Sequence, residues 1–311
     1  MSACQLAENA FLSEAQGGLL GDLFQSPAFF RLHDDGNGRF FEWTDGAQVI
    51  ASVHFAVSGD GTWRSPARGT YGGYAFGDSV SAMDLIGFHG AVEARLRELG
   101  ASRLELLPAP MLHDTRAFAL QMYALSSGGF SVCRSDLNQS QPVRPEGLPM
   151  SRGNRRCAEK ARQAGYVCEQ LPSSALPHVY ATIAANRSAK GYPISMRLDQ
   201  LEQMQRQLPE AMVLFGCRHR DDETLAAAAL CLRLSASKLY VFYWGDRPEY
   251  TRLSPVVVLA DAIHAYCVAH RIALLDVGTS TEGSVPNPGL LRFKEGLGFE
   301  AGLKVRLEKV L

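Results

Sequence analysis

The sequence predicts an α/β (α+β) protein made of two consecutive units, each a mixed sheet flanked by helices. Three observations carry this. Short runs rich in β-branched and aromatic residues precede a helical pattern and then alternate with further helices, which is the order of a sheet covered by helices. The same order recurs in the second half of the chain. The length, 311 residues, exceeds what one typical domain needs and is enough to bury a large core without disulfides or metals.

In the first half, strand-like runs stand at 39–43 (RFFEW) and 48–57 (QVIASVHFAV), and Gly59-Asp60-Gly61 marks a turn after them. A glycine-rich loop, 65–73, leads to an amphipathic helix that ends at Gly100, with Leu85, Val92, Leu96 and Leu99 near one face. A short strand at 103–107, a second helix and a strand near 130–136 follow. The polar, proline-rich stretch 138–149 (NQSQPVRPEGLP) reads as a linker and places the division at 1–145 and 146–311.

The second half starts with a basic helix holding Arg152, Arg155, Arg156, Lys160 and Arg162. The strand YVCEQL and a helical region to Leu208 come next, then strand runs at 211–217, 224–234 and 238–244. The end repeats the earlier order: a helix from Ser254, a strand at 272–277, a helix near 290–297 and a terminal strand. RLELL at 103–107 matches RIALL at 271–275, an offset of 168 (271 − 103). Gly129-Phe130 matches Gly298-Phe299 at 169 (298 − 129). Ser65-Pro66 and Ser254-Pro255 match at a larger offset, as they would if the glycine-rich loop were an insertion in the first copy. The shared order of these matches argues for duplication of a strand–helix–strand unit.

A formal net charge of -1 leaves no global basic field to hold nucleic acid. Seven cysteines without a C-x-x-C pair argue for reduced thiols and a cytoplasmic protein, against a disulfide framework or zinc site. His264 and His270 flank Cys267 on a helix, a spacing read as incidental rather than metal-binding. The N-terminus lacks a charged segment followed by an apolar run, and the longest apolar stretch, 254–269, is too short to cross a membrane and carries Asp261 and His264. Neither phosphate-binding glycine motif nor a G-x-S-x-G elbow occurs.

Several residues could carry chemistry, each beside a plainer structural role. Ser254 before Pro255 suits a helix start, and such an N-terminus can also face an anionic donor. Ser65, Tyr71, Gly72 and Gly73 fit either a substrate-lining loop or a turn. Arg155 and Lys160 belong to a solvated helix face or to a phosphate contact. Asn186 and Tyr192 frame a polar break (NRSAKGYP), and Tyr243 and Trp244 end an apolar strand on opposite faces. Gly278 and Ser280 close the strand Asp276-Val277-Gly278-Thr279-Ser280, and Phe293-Lys294 opens the last helix motif. Lys294 could be a snorkelling surface lysine or a positive charge for an oxyanion.

Taken in order, Asn154-Arg155-Arg156 with Lys160-Ala161, the NRSAKGYP segment, Tyr243-Trp244-Gly245, Leu253-Ser254-Pro255, Asp276-Val277-Gly278-Thr279-Ser280 and Phe293-Lys294-Glu295-Gly296-Leu297-Gly298 resemble the FemAB-type aminoacyltransferases. They also resemble the wider Gcn5-related N-acetyltransferase (GNAT) superfamily. The resemblance implies two tandem GNAT-like domains and transfer of an acyl or aminoacyl group to an amine acceptor. It implies no tightly bound cofactor and a donor co-substrate that is aminoacyl-tRNA or acyl-CoA, with tRNA as a partner in the first case. The lysine of the F-K-x-x-x-G motif maps onto Lys294, where it would stabilise developing negative charge, and Tyr243 matches the aromatic strand end, as a catalytic proton donor or a positioning group. No base maps across, and Asp84 and His89 are candidates by residue type alone. A [RQ]-x-x-G-x-[GA] loop is missing before both long helices, which weighs against ordinary acyl-CoA use. The chain has little room for the helical arm of the bridge-forming enzymes. The expectation is a FemAB-like acyltransferase without a metal or covalent enzyme intermediate. The alternatives are an acyl-CoA-dependent N-acetyltransferase and a ligand-binding protein that has lost catalysis.

Overall fold

The computed structural model describes residues 4–16 and 20–311; residues 1–3 and 17–19 of the N-terminal segment lie outside the described residues. The chain divides into two compact units. The first comprises Met1–Leu137, Thr281–Val285 and Gly302–Leu311, and the second Asn138–Ser280 and Pro286–Ala301. The units therefore interleave along the chain, whereas the linker reading placed a single boundary at 145/146.

The first unit is built on strands β1 (Gln5–Glu8), β2 (Gly38–Asp45), β3 (Gln48–Val57), β4 (Thr62–Ser65), β5 (Ala75–Phe76), β6 (Arg103–Leu106) and the first part of β7 (Ser131–Pro142). Helices α1 (Leu12–Ala15), α2 (Pro27–His33), α3 (Ala82–Glu98) and α4 (Thr115–Ser127) accompany them. The second unit holds α5 (Arg152–Gln163), β8 (Tyr166–Leu171), α6 (Leu176–Ala189), α7 (Leu198–Gln207) and β9 (Met212–His219), followed by β10 (Leu225–Ser235), β11 (Lys238–Asp246), α8 (Pro255–Ala269) and β12 (Leu274–Thr279). A short ribbon of β13 (Thr281–Glu282) and β14 (Val285–Pro286), helix α9 (Pro288–Gly296) and strand β15 (Glu300–Val310) complete the chain.

Helix α3 forms because Ser81 and Asp84 make a capping box and Leu85, Phe88, Val92 and Leu96 recur on one face. That face meets Phe41, Val53, Phe55, Leu104 and Leu106 in the first core, and burial of each such side chain contributes about 1.5–3 kcal/mol. The second core gathers Phe215, Ala226, Ala227, Val241, Val257, Ile263, Leu275 and Phe299. Helix α5 buries only Ala158 and Ala161, so its basic side chains are left outward.

The expected repetition is present as two parallel strand–helix–strand units. β4 pairs with β6 across α3, and β11 pairs with β12 across α8. The closing strands depart from simple tandem copies. The terminal strand β15 pairs antiparallel with β6 in the first unit, and the end of β7 pairs antiparallel with β12 in the second. Each unit thus takes its closing strand from the segment after the other copy's last helix.

Two sequence expectations fail locally. Residues 138–142 are not linker: Asn138, Gln139, Ser140 and Gln141 are all buried within β7. Polar composition misled there, because Asn138 and Gln139 find partners on β12 and just beyond it. Ser254 does not cap α8 with its side chain; it sits in the left-handed region at φ 48°. Ser65 ends β4 and is joined to Pro66 by a cis peptide.

Candidate functional site

Most of the chemistry-bearing residues of the second unit belong to one contiguous network that begins on β12. Asp276 is buried in this apolar strand, and its Oδ1 accepts from the Asn138 side-chain amide at 3.0 Å and the Gly278 N–H at 2.6 Å. Gly278 is at φ 74°, and a Cβ there would come within 3.2 Å of the Tyr240 hydroxyl. The residue must be glycine to turn the strand so close to an aromatic side chain. The turn breaks the regular register with β7 between Asp276 and Thr279.

Lys294 takes up both carbonyls. Its Nζ donates to Gly278 O and Thr279 O, each at 2.9 Å, and the residue is 2% exposed. Burial pushes its pKa down to about 7, while the nearby Asp276 carboxylate pulls the other way. A lysine ammonium has three N–H donors, so one remains beyond the two carbonyls. Lys294 is therefore buried and is not a snorkelling surface lysine.

Helix α9 places this lysine. Asn287 accepts from Leu290 N at its start (3.0 Å), donates its own N–H to Ser280 O (3.0 Å), and donates its side-chain amide to the Tyr192 hydroxyl (2.8 Å). The Ser280 hydroxyl donates to Gln139 Oε1 at 2.5 Å. The Arg187 guanidinium lies 6.0 Å from the Tyr192 ring centre and 5.4 Å from that of Tyr243, within cation–π range. The Tyr243 hydroxyl is hydrogen-bonded to Ser195 Oγ and accepts from Met196 N at 3.2 Å. Phe293 contacts Trp244, whose ring is 5.6 Å away and which packs on the second core. As strand alternation requires, Tyr243 is buried on the other face.

Lys294 contacts Gly278 directly, Asn287 links Ser280 to Tyr192, and Arg187 links Tyr192 to Tyr243, with Phe293 beside Lys294 on α9. Asn186 takes a structural part: its amide donates to Asp246 O at 2.5 Å, and it fills the space above Gly245, where a Cβ would meet it at 2.5 Å. Arg155 and Lys160 are exposed on α5 and make no side-chain hydrogen bond or ion pair among the described residues. Ser254 is half-buried before α8. Pro255 brings no N–H to that helix start, and the Val257 N–H is spent on Ser254 O at 2.9 Å.

Ser65, Tyr71, Gly72 and Gly73 form a separate, tightly packed group in the first unit. The Ser65 hydroxyl accepts from Gly73 N (3.0 Å), Gly72 N donates to Leu107 O (2.7 Å), and the Tyr71 hydroxyl donates to Asp22 (2.7 Å). All four are buried. Asp84 serves the Ser81 capping box, whose hydrogen bonds hold its carboxyl below the usual range. His89 lines a cavity of about 340 Å3 with Glu93 and Lys309. Its Nδ1 meets the Tyr74 hydroxyl at 2.8 Å, and burial lowers its pKa to about 4. Among the described residues no three His, Cys, Asp or Glu side chains are grouped to hold a metal.

Sequence reasoning missed Asn138 and Gln139, hidden in the supposed linker, and Arg187, Ser195 and Asn287. Two of these had a readable signal. Asn287-Pro288 is a helix-start pair, and an aspartate in the apolar run LLDVG marks a buried charge that needs partners such as Asn138.

No family model matches the sequence, and no curated protein matches it. Solved structures do. FemX superposes with a TM-score of 0.73 at 12% identity, over 97% of this chain and 95% of that one. The C-terminal domain (DUF2156) of a putative lysylphosphatidylglycerol synthetase from Agrobacterium fabrum gives 0.63 at 10%, over 96% and 90%. A tandem GNAT protein from the clavulanic acid biosynthesis pathway gives 0.56 at 13%, over 99% and 98%. Likeness at these identities speaks for the fold.

Proposed function

Starting from a chain with the FemAB-like fold of two tandem GNAT-like domains, we propose that it transfers an acyl or aminoacyl group onto an amine acceptor, with the reacting carbonyl beside Lys294. The observation that carries this is the lysine itself. A cationic side chain 2% exposed, with two of its donors on backbone carbonyls and a pKa near neutrality, is costly for a fold and useful to a reaction.

The acceptor amine attacks the carbonyl carbon, and negative charge develops on the carbonyl oxygen. The third Nζ donor of Lys294 supports that charge in a site shielded from water, where such a donor is worth most. As the tetrahedral species collapses, the bond to the donor's leaving group breaks, and the proton lost by the amine is taken up by the departing oxygen or sulfur. Tyr243, held by Ser195 and Met196, and Tyr192, held by Asn287, act as positioning residues on the wall beside Arg187.

Aminoacyl-tRNA is the donor we favour over acyl-CoA. The start of α8, where a pyrophosphate would need backbone N–H groups, has Pro255 without one and the Val257 N–H already engaged. The exposed Arg155 and Lys160 on α5 offer phosphate contacts.

The test is thermal stability of the protein with acyl-CoA esters, free CoA, and charged or uncharged tRNA, since a ligand selective for the native state raises the midpoint. A rise with tRNA that is lost in the Arg155→Ala, Lys160→Ala double variant supports the reading. A rise with CoA compounds alone replaces the donor. No rise with either leaves the duplicated fold as a binding protein for another ligand and overturns both donors.

A further inference from the structure

Strands β8 and β9 pair antiparallel in unbroken register, with Tyr166 opposite His219 and Cys168 opposite Cys217. The ladder's phase is set by one bond beyond the strand end: Arg220 N donates to Gly165 O at 2.9 Å. That bond brackets Tyr166 and His219 as a non-hydrogen-bonded pair, and alternation makes Cys168 and Cys217, two steps on, another. Cα atoms of such pairs stand about 4.5 Å apart with their side chains drawn together. A disulfide needs about 4.4–6.8 Å between Cα atoms, so the bridge requires no strand to slip.

The two thiols share a face of the sheet. Cys217 lies fully buried in the second core, and Cys168 packs against that core from β8, the last strand of the second unit's sheet. Cys168 is half-buried, while Cys217 is buried. Among the described strand pairings, no other two cysteines stand opposite each other in this way.

We infer that Cys168 and Cys217 form a modification site, a reversible cross-strand disulfide that closes the loop carrying Arg187, Tyr192 and Ser195. The residues between the two cysteines include all of α6 and α7, so the bridge would tie both ends of the segment that holds the Tyr243 hydroxyl and the Tyr192 ring. A small disulfide RSSR is the oxidant. The Cys168 thiolate attacks one sulfur and releases the first RSH, leaving a mixed disulfide. The Cys217 thiolate then attacks Cys168 Sγ and releases the second. Two protein thiols are oxidised and RSSR is reduced to two RSH. Donation of its S–H to Cys217, together with burial, pushes the Cys168 thiol up, so exchange is slow at neutral pH and quickens as pH rises.

The experiment treats the native full chain with oxidised glutathione at mildly alkaline pH, quenches with acid, and measures non-reduced mass with peptide mapping. The expected product is lighter by two hydrogens, yields a Cys168–Cys217 peptide, and returns to the starting mass with dithiothreitol. Cys168→Ser and Cys168→Ala both lose it, and Cys133→Ser keeps it; circular dichroism confirms that each variant is folded. A lasting glutathione adduct on Cys168, or free Cys168 and Cys217 while exposed Cys133 reacts, overturns the inference. The readout is covalent mass, so it succeeds or fails independently of any acyl transfer.

Discussion

Replacing Lys294 by methionine isolates the energetic consequence of burying that amine. In the unfolded chain a lysine titrates at about 10.4, whereas in the native protein burial brings Lys294 to about 7. Between these values the unfolded state binds one more proton than the native state, so stability rises with pH across the window. The depressed pKa therefore acts as a penalty that is full below about pH 7 and relieved above it. Each pH unit contributes up to about 1.36 kcal/mol, and from pH 7 to 10, where the two titrations round off the ends, the wild type gains about 3.5 kcal/mol relative to a chain without the group. Lys294→Met has no such gain. It also leaves the Gly278 and Thr279 carbonyls without their donor, a pH-independent cost of about 1–3 kcal/mol each. The assay is urea unfolding of both proteins at pH 7, 8, 9 and 10, read as the difference between them at each pH, so that tyrosines and cysteines common to both cancel. The gap should widen with pH in favour of the wild type, with unchanged m-values. A constant gap would show that Lys294 titrates normally in the native state, and the case for a specially held catalytic cation would fall with it.

Three other variants test separate parts of the structure. Gly72→Ala places a Cβ 2.7 Å from the Pro66 backbone nitrogen, which cannot move aside as a side chain could; the urea midpoint should fall by an amount equivalent to about 1–3 kcal/mol. Tyr243→Phe deprives Ser195 Oγ and Met196 N of their partner. It should cost about 1–2 kcal/mol and accelerate hydrogen exchange at Met196, and unchanged exchange there would refute the contact. The Arg155→Ala, Lys160→Ala double variant should stay within about 0.5 kcal/mol of wild type per site, because neither side chain is engaged. Under the proposed reading the same variant flattens the salt dependence of tRNA binding, measured as the slope of log affinity against log salt.

The elements and their repetition are legible in the amino-acid order alone. The apolar spacing of Leu85, Val92 and Leu96 reports the buried face of α3, and the β-branched runs report β2 and β3, because periodicity records which side of one element meets apolar neighbours. The duplicated strand–helix–strand order and Lys294 are legible for the same reason: both lie in short contiguous motifs. Partners distant along the chain are settled by tertiary packing instead. The polar run Asn138–Gln141 looks like linker until Asp276 and Ser280, some 140 residues away, supply partners for Asn138 and Gln139. The exchange of β7 and β15 between the two copies leaves no local trace, since a strand's residues specify a pleated, buried surface but not which edge will pair with it. Ser254 looks like a cap because its type suits one. The chain's path into α8 through the left-handed region is set by the turn ahead of it, and the side chain is carried away from the helix's free N–H groups.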